Sequence, residues 1–407
     1  MISVDEALDR ILKGLAPVGA ESVSIAEAAG RVLAEPVLAR ITQPPVAVSA
    51  MDGWAVRADD VATVPATLAR IGESAAGRAF AGKVGPGQAV RIFTGAPLPE
   101  GADAIVIQED TVYDDKVVTV REGAAKGRYV REAGLDFRAG DPGIAAPKRL
   151  GARDIGLAAA MNAPWAVLRR RPRIALLATG DELVRPGEPI GPAQIVSSNG
   201  LALAAFVRAA GGEPIDLGIA RDNRASLLAH LDAAKGADLL VTIGGASVGE
   251  HDLIRQVYGE KGLALDFWQV AMRPGKPLMS GRLGDTPMIG LPGNPVSALV
   301  CALVFLRPAI AALLGLDERA LPTVPATLGA DLAANDARQD YLRASLIRQP
   351  DGRAVATAFE RQDSSNLARL AKAECLIVRP PRAAGTKAGA ILPVTPLSGP
   401  GSVFYGY

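Results

Sequence analysis

Apolar runs alternate with helical patterns in the middle of the chain, between residues 173 and 315. Runs of this length and β-branched content are typical of strands that are buried on both faces of a sheet. The predicted strands are RIALLATG, EPIDLGIA, ADLLVTIGG, FWQVAM and PMIGLPG, and the predicted helices cover 199–210, 223–235, 252–261 and 295–314. This alternation predicts a doubly wound α/β domain.

The third of these strands continues into a glycine-rich loop, ADLLVTIGGASVGEHD. The residues of interest in this loop are Gly244, Gly245, Ser247, Gly249 and Asp252. A strand, a glycine turn and a helix start present free backbone N–H groups at the carboxyl edge of a sheet, where anions bind in α/β proteins. The acids of the loop suit a cation that bridges such an anion. An ordinary connection between strand and helix is the alternative for this loop taken alone.

Two other strands end in similar turns. RIALLATGDEL ends with Gly180, Asp181 and Glu182. The turn after PMIGL contains Pro292, Gly293, Asn294 as the predicted helix N-cap, and Ser297. A proline follows Asn294 at the first helical position, which is a strong helix-start signal. If the three strands are parallel neighbours, their ends share one edge, and the resulting site would suit a phosphate held with Mg²⁺.

Charged residues near these turns extend the predicted site. AMRPGKPLMSG contributes Arg273 and Lys276, two cations able to meet an anion at the same edge. Asp222 falls at a predicted helix N-cap, and plain capping is the alternative to a role in the site. The GxGxxG and GxxxxGK[ST] patterns are absent, which excludes the common dinucleotide and phosphate-loop sites.

The regions on either side of the α/β pattern are richer in β structure. Capping boxes at Ser3 and Ser24 predict two short N-terminal helices, and the prolines of 43–49 predict no regular structure there. From about residue 66 to 130 the pattern predicts a compact all-β module. From about residue 322 it predicts a small barrel or sandwich that includes a hairpin.

Three polar residues of the N-terminal half lie in segments rich in turn residues. Asp52 stands beside a glycine and Trp54 in SAMDGWAV; the alternative is a turn closed by Asp-Gly with Trp54 as a core anchor. Thr94 follows a strand in RIFTG, and Asp136 lies in REAGLDFRAGD.

Composition narrows the classes of function. The 44 basic and 43 acidic residues nearly cancel, so nothing indicates a nucleic-acid partner. The apolar stretch 298–306 is too short to span a bilayer, and the first ten residues do not resemble a signal peptide. Two histidines exclude a histidine-rich zinc site, and the two cysteines read as core thiols in a reducing compartment. We therefore expect a cytoplasmic protein with neither nucleic-acid nor membrane partners.

Seven motifs follow one another along the chain: SAMDGWAV, RIFTGAPLPEGADAIVIQE, REAGLDFRAGD, ALLATGDEL, VTIGGASVGEHD, RPGKP and GLPGNPVSA. In this order they resemble the molybdopterin molybdenumtransferases, the MoeA/gephyrin E-domain family. The resemblance implies a multidomain α/β plus β fold. Its parts would be an extended N-terminal domain (1–45 and 138–170), an inserted β-rich module (46–137), a doubly wound molybdopterin-binding α/β domain (171–318) and a C-terminal β-barrel (319–407).

The resemblance also implies an activity and an assembly. Family members take adenylylated molybdopterin and molybdate, place molybdenum on the dithiolene sulfurs and release AMP with the help of Mg²⁺. They are homodimers whose active site lies between the α/β domain of one subunit and the N-terminal part of the other. Further implied partners are the adenylyltransferase that supplies the substrate and the molybdoenzymes that accept the product.

Residue by residue, the resemblance implies a set of catalytic groups: Asp52, Thr94, Asp136, Glu182, Asp222, Asp252 and Lys276, with Glu182 and Asp252 as metal ligands. The implied substrate-binding residues are Gly180, Asp181, Gly244, Gly245, Ser247, Gly249, Arg273, Pro292, Gly293, Asn294, Ser297 and Ser364. The chain departs from the family at Gln269, where many members have lysine, and at Arg273, where lysine is common. Arginine keeps the positive charge, whereas glutamine lacks the charge that lysine would offer to molybdate.

Two other functions compete with this interpretation. The adenylyltransferase that acts one step earlier shares the α/β domain, but it needs only that domain, whereas the MDGWA and TGAPLPEGAD motifs belong to the longer family. A scaffold is the second alternative, because the related domain of gephyrin binds receptor tails. No linker with a second α/β domain favours that role in this sequence.

Overall fold

The structure is a computed structural model of the 407-residue chain, and it describes residues 1–245, 257–260 and 262–397. The chain forms two compact units. The first comprises Met1–Glu21, Gly30–Ala34 and the chain from Leu168 onward, and the second comprises Ser22–Ala29 and Glu35–Val167. The first unit contains an α/β sheet and a barrel, and the second contains a separate β sheet.

The first unit is built around a six-stranded sheet. Its parallel strands are, in spatial order, Glu213–Ala220, Arg173–Thr179, Leu239–Ile243 and Thr286–Leu291. The antiparallel strands Met279–Leu283 and Leu263–Phe267 complete one edge. From Arg173–Thr179 the chain builds first to one side and then to the other, so the predicted doubly wound fold is confirmed.

One predicted strand of this sheet is wrong. The sheet strand ends at Phe267, and within FWQVAM only Met272 continues into a short strand, Met272–Arg273, which pairs with the barrel rather than with this sheet. The apolar pattern misleads here because Phe267, Val270 and Met272 are all buried without sharing one strand. The strand Met279–Leu283 was not predicted.

Helices cover both faces of the sheet. They span Val4–Lys13, Asn199–Ala209, Arg224–Ala233 and Pro295–Leu313. The last is α-helical over Pro295–Cys301 and Arg307–Leu313, with a π-helical turn at Ala302–Leu306 between them. Ser3 begins the first helix as predicted, since its hydroxyl accepts the N–H of Glu6 at 3.1 Å.

Alternate side chains of the strands supply two separate cores. Leu176 and Val241 pack in the cluster that contains the helix Pro295–Leu313. Their chain neighbours Leu177 and Leu240 pack in the cluster on the other face, with the helix Arg224–Ala233. This is the alternation expected for strands covered on both faces.

The helix Pro295–Leu313 is the most apolar element among the described residues that could be considered for a membrane. Its best window has a mean hydropathy of 2.2, and by length and composition it could cross a bilayer. However, 83% of that window is buried inside the protein. The helix therefore has the burial of a core helix, packed on the sheet and on the first helix.

The C-terminal part of the first unit is a closed β-barrel. Its strands are Val324–Leu328, Gln339–Arg348, Ala354–Ala358, Cys375–Arg379 and Ile391–Pro396, and a short helix spans Leu367–Lys372. Gln339–Arg348 pairs with Ala354–Ala358 on one side and with Cys375–Arg379 on the other, which closes the ring. The predicted hairpin is confirmed, and the barrel is formed rather than the sandwich.

The second unit is built around another six-stranded sheet. Its strands are, in spatial order, Ala104–Ile107, Gly53–Val56, Gln88–Ile92, Ala66–Ser74, Val117–Val120 and Thr111–Tyr113. Trp54 is fully buried in its core, as the alternative interpretation of SAMDGWAV expects for this side chain. The helical segments of this unit are Ile25–Glu27, Ala58–Val61, Gln108–Asp110 and Ala152–Ala160.

The prediction of no regular structure across 43–49 is wrong at its end. Val48–Ser49 forms a short strand antiparallel to Val130–Arg131. The prolines that suggested an irregular segment lie upstream, at 44 and 45, so they remove no N–H from this pairing.

The remaining short strands are Ala20–Ser24, Val32–Leu33, Val37–Leu38, Pro142–Ile144, Lys148–Arg149, Trp165–Arg169, Leu183–Val184 and Ile195–Val196.

Candidate active site

A cavity of about 610 Å³ lies at the carboxyl edge of the α/β sheet. It is lined by the ends of three parallel strands, at Thr179, at Ile243 and at Pro292, and by the turns that follow them. The edge of a doubly wound sheet where the chain changes direction is the usual position for a ligand. The three strand ends singled out in the sequence therefore converge on one cavity.

Glycine is required at two positions in the turns at this edge of the sheet, and one of them, Gly244, lines the cavity. Gly244 has a φ of +93°, and a Cβ there would lie 2.8 Å from the carbonyl oxygen of Thr179. Gly180 has a φ of +145°, and a Cβ there would lie 2.3 Å from Oε2 of Glu182. Because neither residue carries a side chain, the turns pack closely and leave their backbone open to a ligand.

Glu182 is the acid that faces this cavity. Its side chain is exposed and lines the cavity wall. Within the described part of the chain its carboxylate has neither a hydrogen bond nor an ion pair, and only its backbone carbonyl is used, by the N–H of Ile195 at 2.8 Å. A carboxylate without a protein partner is available to a cation or to a ligand proton.

Asp181 and Asp222 are tied to each other across the neighbouring loops. The N–H of Asp222 donates to Oδ1 of Asp181 at 3.1 Å, and the N–H of Asp181 donates to Oδ2 of Asp222 at 3.3 Å. The interpretation of Asp222 as a helix cap is wrong. Asn223 caps the helix instead, since its Oδ1 accepts the N–H of Ser226 at 2.9 Å. The reason is a shift of one residue in the helix start, which frees Asp222 to hold the loop.

Asn294 and Ser364, both predicted to bind substrate, are in direct contact. Asn294 occupies the predicted N-cap position with a proline next to it, but its side chain does not cap the helix. Its Nδ2 instead donates to Oγ of Ser364 at 3.1 Å, and the N–H of Val296 donates to the Ser364 carbonyl at 3.1 Å. The barrel thus contributes a hydroxyl beside the start of the core helix.

The two predicted cations differ in how far they are engaged. Arg273 forms a two-pronged ion pair with Asp340, through Nε at 2.9 Å and Nη2 at 2.8 Å, and the Asp340 side chain is only 2% exposed. Lys276 is exposed, and its ammonium has no partner among the described residues. Pro277 lines the cavity, and Lys276 precedes it in the sequence. Of the two predicted cations, Lys276 is therefore the one available to a ligand. Substrate binding by Arg273 stays a prediction.

The remaining predicted residues of this edge are placed as follows. Pro292 and Gly293 line the cavity, and Ser297 is buried in the first turn of the core helix. Ser247, Gly249 and Asp252 lie outside the described residues. Within residues 1–245, 257–260 and 262–397, no group of three or more His, Cys, Asp or Glu side chains is gathered as a metal site.

In the second unit, Asp52 and Thr94 form a compact pair. The N–H and the hydroxyl of Thr94 both donate to Oδ1 of Asp52, at 2.7 and 2.8 Å. The hydrogen bond from the Thr94 N–H, aided by its hydroxyl and by the charge of Arg91, lowers the pKa of the Asp52 carboxyl below its ordinary value. The structure therefore brings together two of the residues predicted to be catalytic and keeps the acid ionised.

Asp136, the third predicted catalytic residue of this unit, lies on an exposed turn. Its N–H donates to the carbonyl of Gln43 at 3.1 Å, and its carboxylate has no partner within the described residues.

Sequence reasoning missed Asn199, which lines the cavity and whose Nδ2 donates to the Gly293 carbonyl at 2.7 Å. Asn199 is the last residue of SSN and the first residue of the predicted helix, and this position was the available signal.

The fold and the cavity define a class of protein. The first unit is a doubly wound α/β protein with a cavity at the carboxyl edge of its sheet, lined by glycine turns, hydroxyl and amide side chains and Glu182. Three family models match along the chain. They are the MoeA N-terminal region (domain I and II) at residues 2–162, a probable molybdopterin binding domain at 175–312, and the MoeA C-terminal region (domain IV) at 325–397.

Known proteins agree with these matches over nearly the whole length. A molybdopterin molybdenumtransferase of Haemophilus influenzae is 33% identical over 402 residues, which cover 98% of this chain and 99% of the relative. One from a Nostoc species is 37% identical over 369 residues, covering 88% of this chain and 85% of the relative. A crystal structure of a MoeA protein from Pyrococcus horikoshii has a TM-score of 0.85 at 29% identity, covering 98% of this chain and 100% of that one.

The chain therefore belongs to the MoeA family of molybdopterin molybdenumtransferases, and its function is molybdenum insertion in molybdenum cofactor biosynthesis. The seven motifs lie within the first two matched regions, so the resemblance seen in the sequence and the family matches agree.

Proposed function

We propose that this transferase acts on adenylylated molybdopterin and molybdate, and that it releases AMP as molybdenum is placed on the dithiolene sulfurs. The observation that carries the proposal is the Glu182 carboxylate, which has no partner among the described residues and lines a cavity together with the turn residues Gly244 and Gly245. Such turns let the phosphates of an adenylylated substrate approach backbone N–H groups. An acid beside that position suits the cation that a pyrophosphate requires.

Each side chain around the cavity then has a distinct task. Gly244 and Gly245 both line the cavity with positive φ angles, and their backbone, which carries no side chain, is open to the close approach of a phosphate. Lys276, whose ammonium has no partner among the described residues, offsets the negative charge of phosphate or molybdate. Ser364, held by Asn294, offers a hydroxyl from the barrel side. Together these groups bind and orient the anions so that the leaving AMP is held in line.

We propose Mg²⁺ as the cation, and the residues present fit it. Mg²⁺ prefers oxygen ligands and retains several waters, so it does not need a complete cage of side chains. Glu182 is free to bind it, and Asp181 keeps its Oδ2 without a hydrogen bond among the described residues. The resemblance adds Asp252 as a further ligand. When bound, the ion would neutralise charge that develops on the phosphate oxygens.

The test is an assay of AMP release. Purified protein is given adenylylated molybdopterin, with and without molybdate and with Mg²⁺ or a chelator. The proposal expects AMP only when molybdate and Mg²⁺ are both present. The adenylyltransferase alternative expects the opposite direction, with ATP and molybdopterin converted to pyrophosphate and no response to molybdate. That second pattern would overturn the proposal.

We also propose that the protein is a homodimer and that Asp52 acts in the cleft of the partner. The support is a set of exposed apolar side chains in the segments around Asp52, of the kind that a second subunit covers: Leu38, Ile41, Val46, Met51 and Leu135, of which Leu135 is 65% exposed. Mixed dimers of an Asp52→Ala subunit and a Glu182→Gln subunit test this. Sites built across two subunits leave one intact site in each mixed dimer, so activity reappears on mixing, whereas sites built within one subunit give no recovery.

The proposed setting is the cytoplasm, with the adenylyltransferase that supplies the substrate and the acceptor molybdoenzymes as partners. The support is that Cys301 and Cys375 are both free and buried, as expected where thiols stay reduced. Cell fractionation that finds the protein outside the cytoplasm would contradict this part of the proposal.

A further inference from the structure

Arg91 is an almost buried arginine in the second unit, with only 9% of its surface exposed. Its guanidinium carbon lies 5.5 Å from the ring centroid of Trp54, 5.1 Å from that of Phe93 and 5.5 Å from that of Tyr113. No carboxylate forms an ion pair with it among the described residues. A buried cation without an ion pair is costly, so the three rings and the hydrogen bonds of Arg91 must stabilise it here.

The hydrogen bonds of Arg91 lead to the two segments that fix Asp52. Its Nη1 donates to the carbonyl of Gly53, the residue after Asp52, at 3.3 Å. Its Nη2 donates to Oε1 of Gln108 at 2.6 Å. Gln108 in turn donates its backbone N–H to the carbonyl oxygen of Asp52 at 3.2 Å. The guanidinium thus joins the segment that carries Asp52 to the segment that holds its backbone.

The strand that carries Arg91 also leads to Thr94. Arg91 lies on Gln88–Ile92, directly opposite Trp54 in the strand Gly53–Val56, and Thr94 follows two residues after that strand ends. One side chain therefore lies at the junction of every segment that contributes to the Asp52–Thr94 pair. Arg91 also acts on Asp52 through space, because its charge favours the ionised carboxylate.

We propose that Arg91 is a positioning residue that holds the Asp52 carboxylate, through Gly53 and Gln108, in the orientation in which Thr94 and the substrate meet it. The proposal rests on the catalytic role proposed for Asp52. A planar guanidinium can stack on a ring and donate to two acceptors at once, whereas a lysine ammonium cannot reproduce that fork. The position therefore requires arginine rather than positive charge alone.

The test compares Arg91→Met and Arg91→Lys with a matched control, Arg70→Met. Arg70 also stacks on Trp54, with its guanidinium carbon at 5.9 Å, but no hydrogen bond links it to Gly53 or Gln108. Both Met variants therefore lose a cation from the same ring, and only one loses the link to Asp52. Two quantities are measured for each: the kcat and KM of AMP release, and the pKa of the Asp52 carboxyl by NMR titration of the free protein.

Loss of positioning should reduce kcat roughly 10- to 100-fold in Arg91→Met with little change in KM, since misplacement by about an ångström has effects of this size. The pKa of Asp52 should rise toward its ordinary value, and Arg91→Lys should recover only part of both effects. Arg70→Met should match wild type. If Arg91→Met folds and keeps both the wild-type kcat and the wild-type Asp52 pKa, the proposal is wrong.

A second variant covers the case in which Arg91→Met does not fold. Gln108→Leu removes the acceptor of Nη2 but keeps the N–H that holds Asp52, so it should give the same two changes at a smaller size, several-fold in kcat. An unchanged Asp52 pKa in Gln108→Leu would overturn the proposal. The titration needs no substrate, so it judges the positioning separately from the reaction. Full activity in Asp52→Ala would instead refute the role of Asp52.

Discussion

Asp52 and Glu182 are both acidic residues in turns next to strands, but their carboxylates differ in hydrogen bonding. Asp52 accepts two hydrogen bonds from Thr94, and its backbone is held by Gln108. Glu182 has no partner for its carboxylate among the described residues and faces a cavity. One acid is positioned by the protein before any ligand arrives, and the other is left for the ligand to engage.

The difference indicates how each acid should respond to mutation. An acid that is already satisfied contributes to the local fold, so its removal changes both stability and activity. An acid without a protein partner contributes little to folding, so its removal should change only ligand-dependent properties. This contrast separates the two proposed halves of the active site by experiment.

The largest effect is expected at the satisfied acid. Asp52→Ala should lower kcat by about 10²–10³-fold, the range for loss of a positioned catalytic group. It should also lower the free energy of unfolding by about 1 kcal/mol, because Thr94 loses its acceptor at a partly exposed site. AMP release and urea unfolding measure the two effects. The control is Asp59→Ala, whose carboxylate is 92% exposed and should affect neither.

The cavity wall should be sensitive to a single methyl group. Gly244→Ala adds a Cβ at a φ of +93° and 2.8 Å from the Thr179 carbonyl oxygen. We expect a loss of about 1–3 kcal/mol in unfolding free energy, the usual cost of such strain. Gly259→Ala is the matched control, because its Cβ meets nothing within 4 Å in a helical segment. Equal unfolding curves for the two variants would refute the strain argument.

The free cation should act on binding alone. Lys276→Met should raise KM about tenfold, as expected for loss of one hydrogen bond from a charged donor. Because Lys276 is exposed and unpaired among the described residues, the unfolding free energy should stay unchanged. Steady-state kinetics at varied molybdate measure the effect, with the exposed Lys372→Met as the control. A change in kcat at constant KM would argue against a binding role.

The smallest effect concerns pH. The pKa of Asp52 is lowered in the folded state, first by the Thr94 N–H, so its ionised form stabilises the fold above the unfolded value of about 3.9. That stability is lost as pH falls through the folded pKa. Asp52→Asn should therefore be less stable than wild type near neutral pH, and the difference should disappear at acidic pH. Unfolding at both pH values measures it, and a constant difference would contradict the assignment.

The sequence was sufficient for the convergence of the three strand ends, because glycine turns after buried strands have few structural solutions. It was also sufficient for the Asn294 helix start, where asparagine and proline occur together. It was insufficient where tertiary contacts decide the outcome. The apolar residues of FWQVAM are buried without belonging to one strand. Periodicity alone therefore could not show that the end of this segment pairs with the barrel.

The engagement of individual charges was equally beyond sequence reasoning. Arg273 looked like a free cation because its partner Asp340 is 67 residues away in the barrel. Asp222 looked like a cap because the helix start is displaced by one residue to Asn223. Arg91 gave no signal in the sequence, since apart from Phe93 the rings and acceptors around it come from segments distant in the chain, at Gly53, Trp54, Gln108 and Tyr113. Contacts between residues so far apart in the sequence can be recognised only in the three-dimensional structure.

If Glu182 is the acid that faces the ligand, a Mg²⁺ titration of AMP release should show it. Glu182→Gln is compared with Glu188→Gln, which changes a glutamate beyond the short strand Leu183–Val184 whose carboxylate accepts the N–H of Arg185. We expect Glu182→Gln to need at least about tenfold more Mg²⁺ than wild type, with unchanged stability, while Glu188→Gln keeps the wild-type requirement. An unchanged Mg²⁺ requirement in Glu182→Gln would show that this carboxylate does not face the ligand.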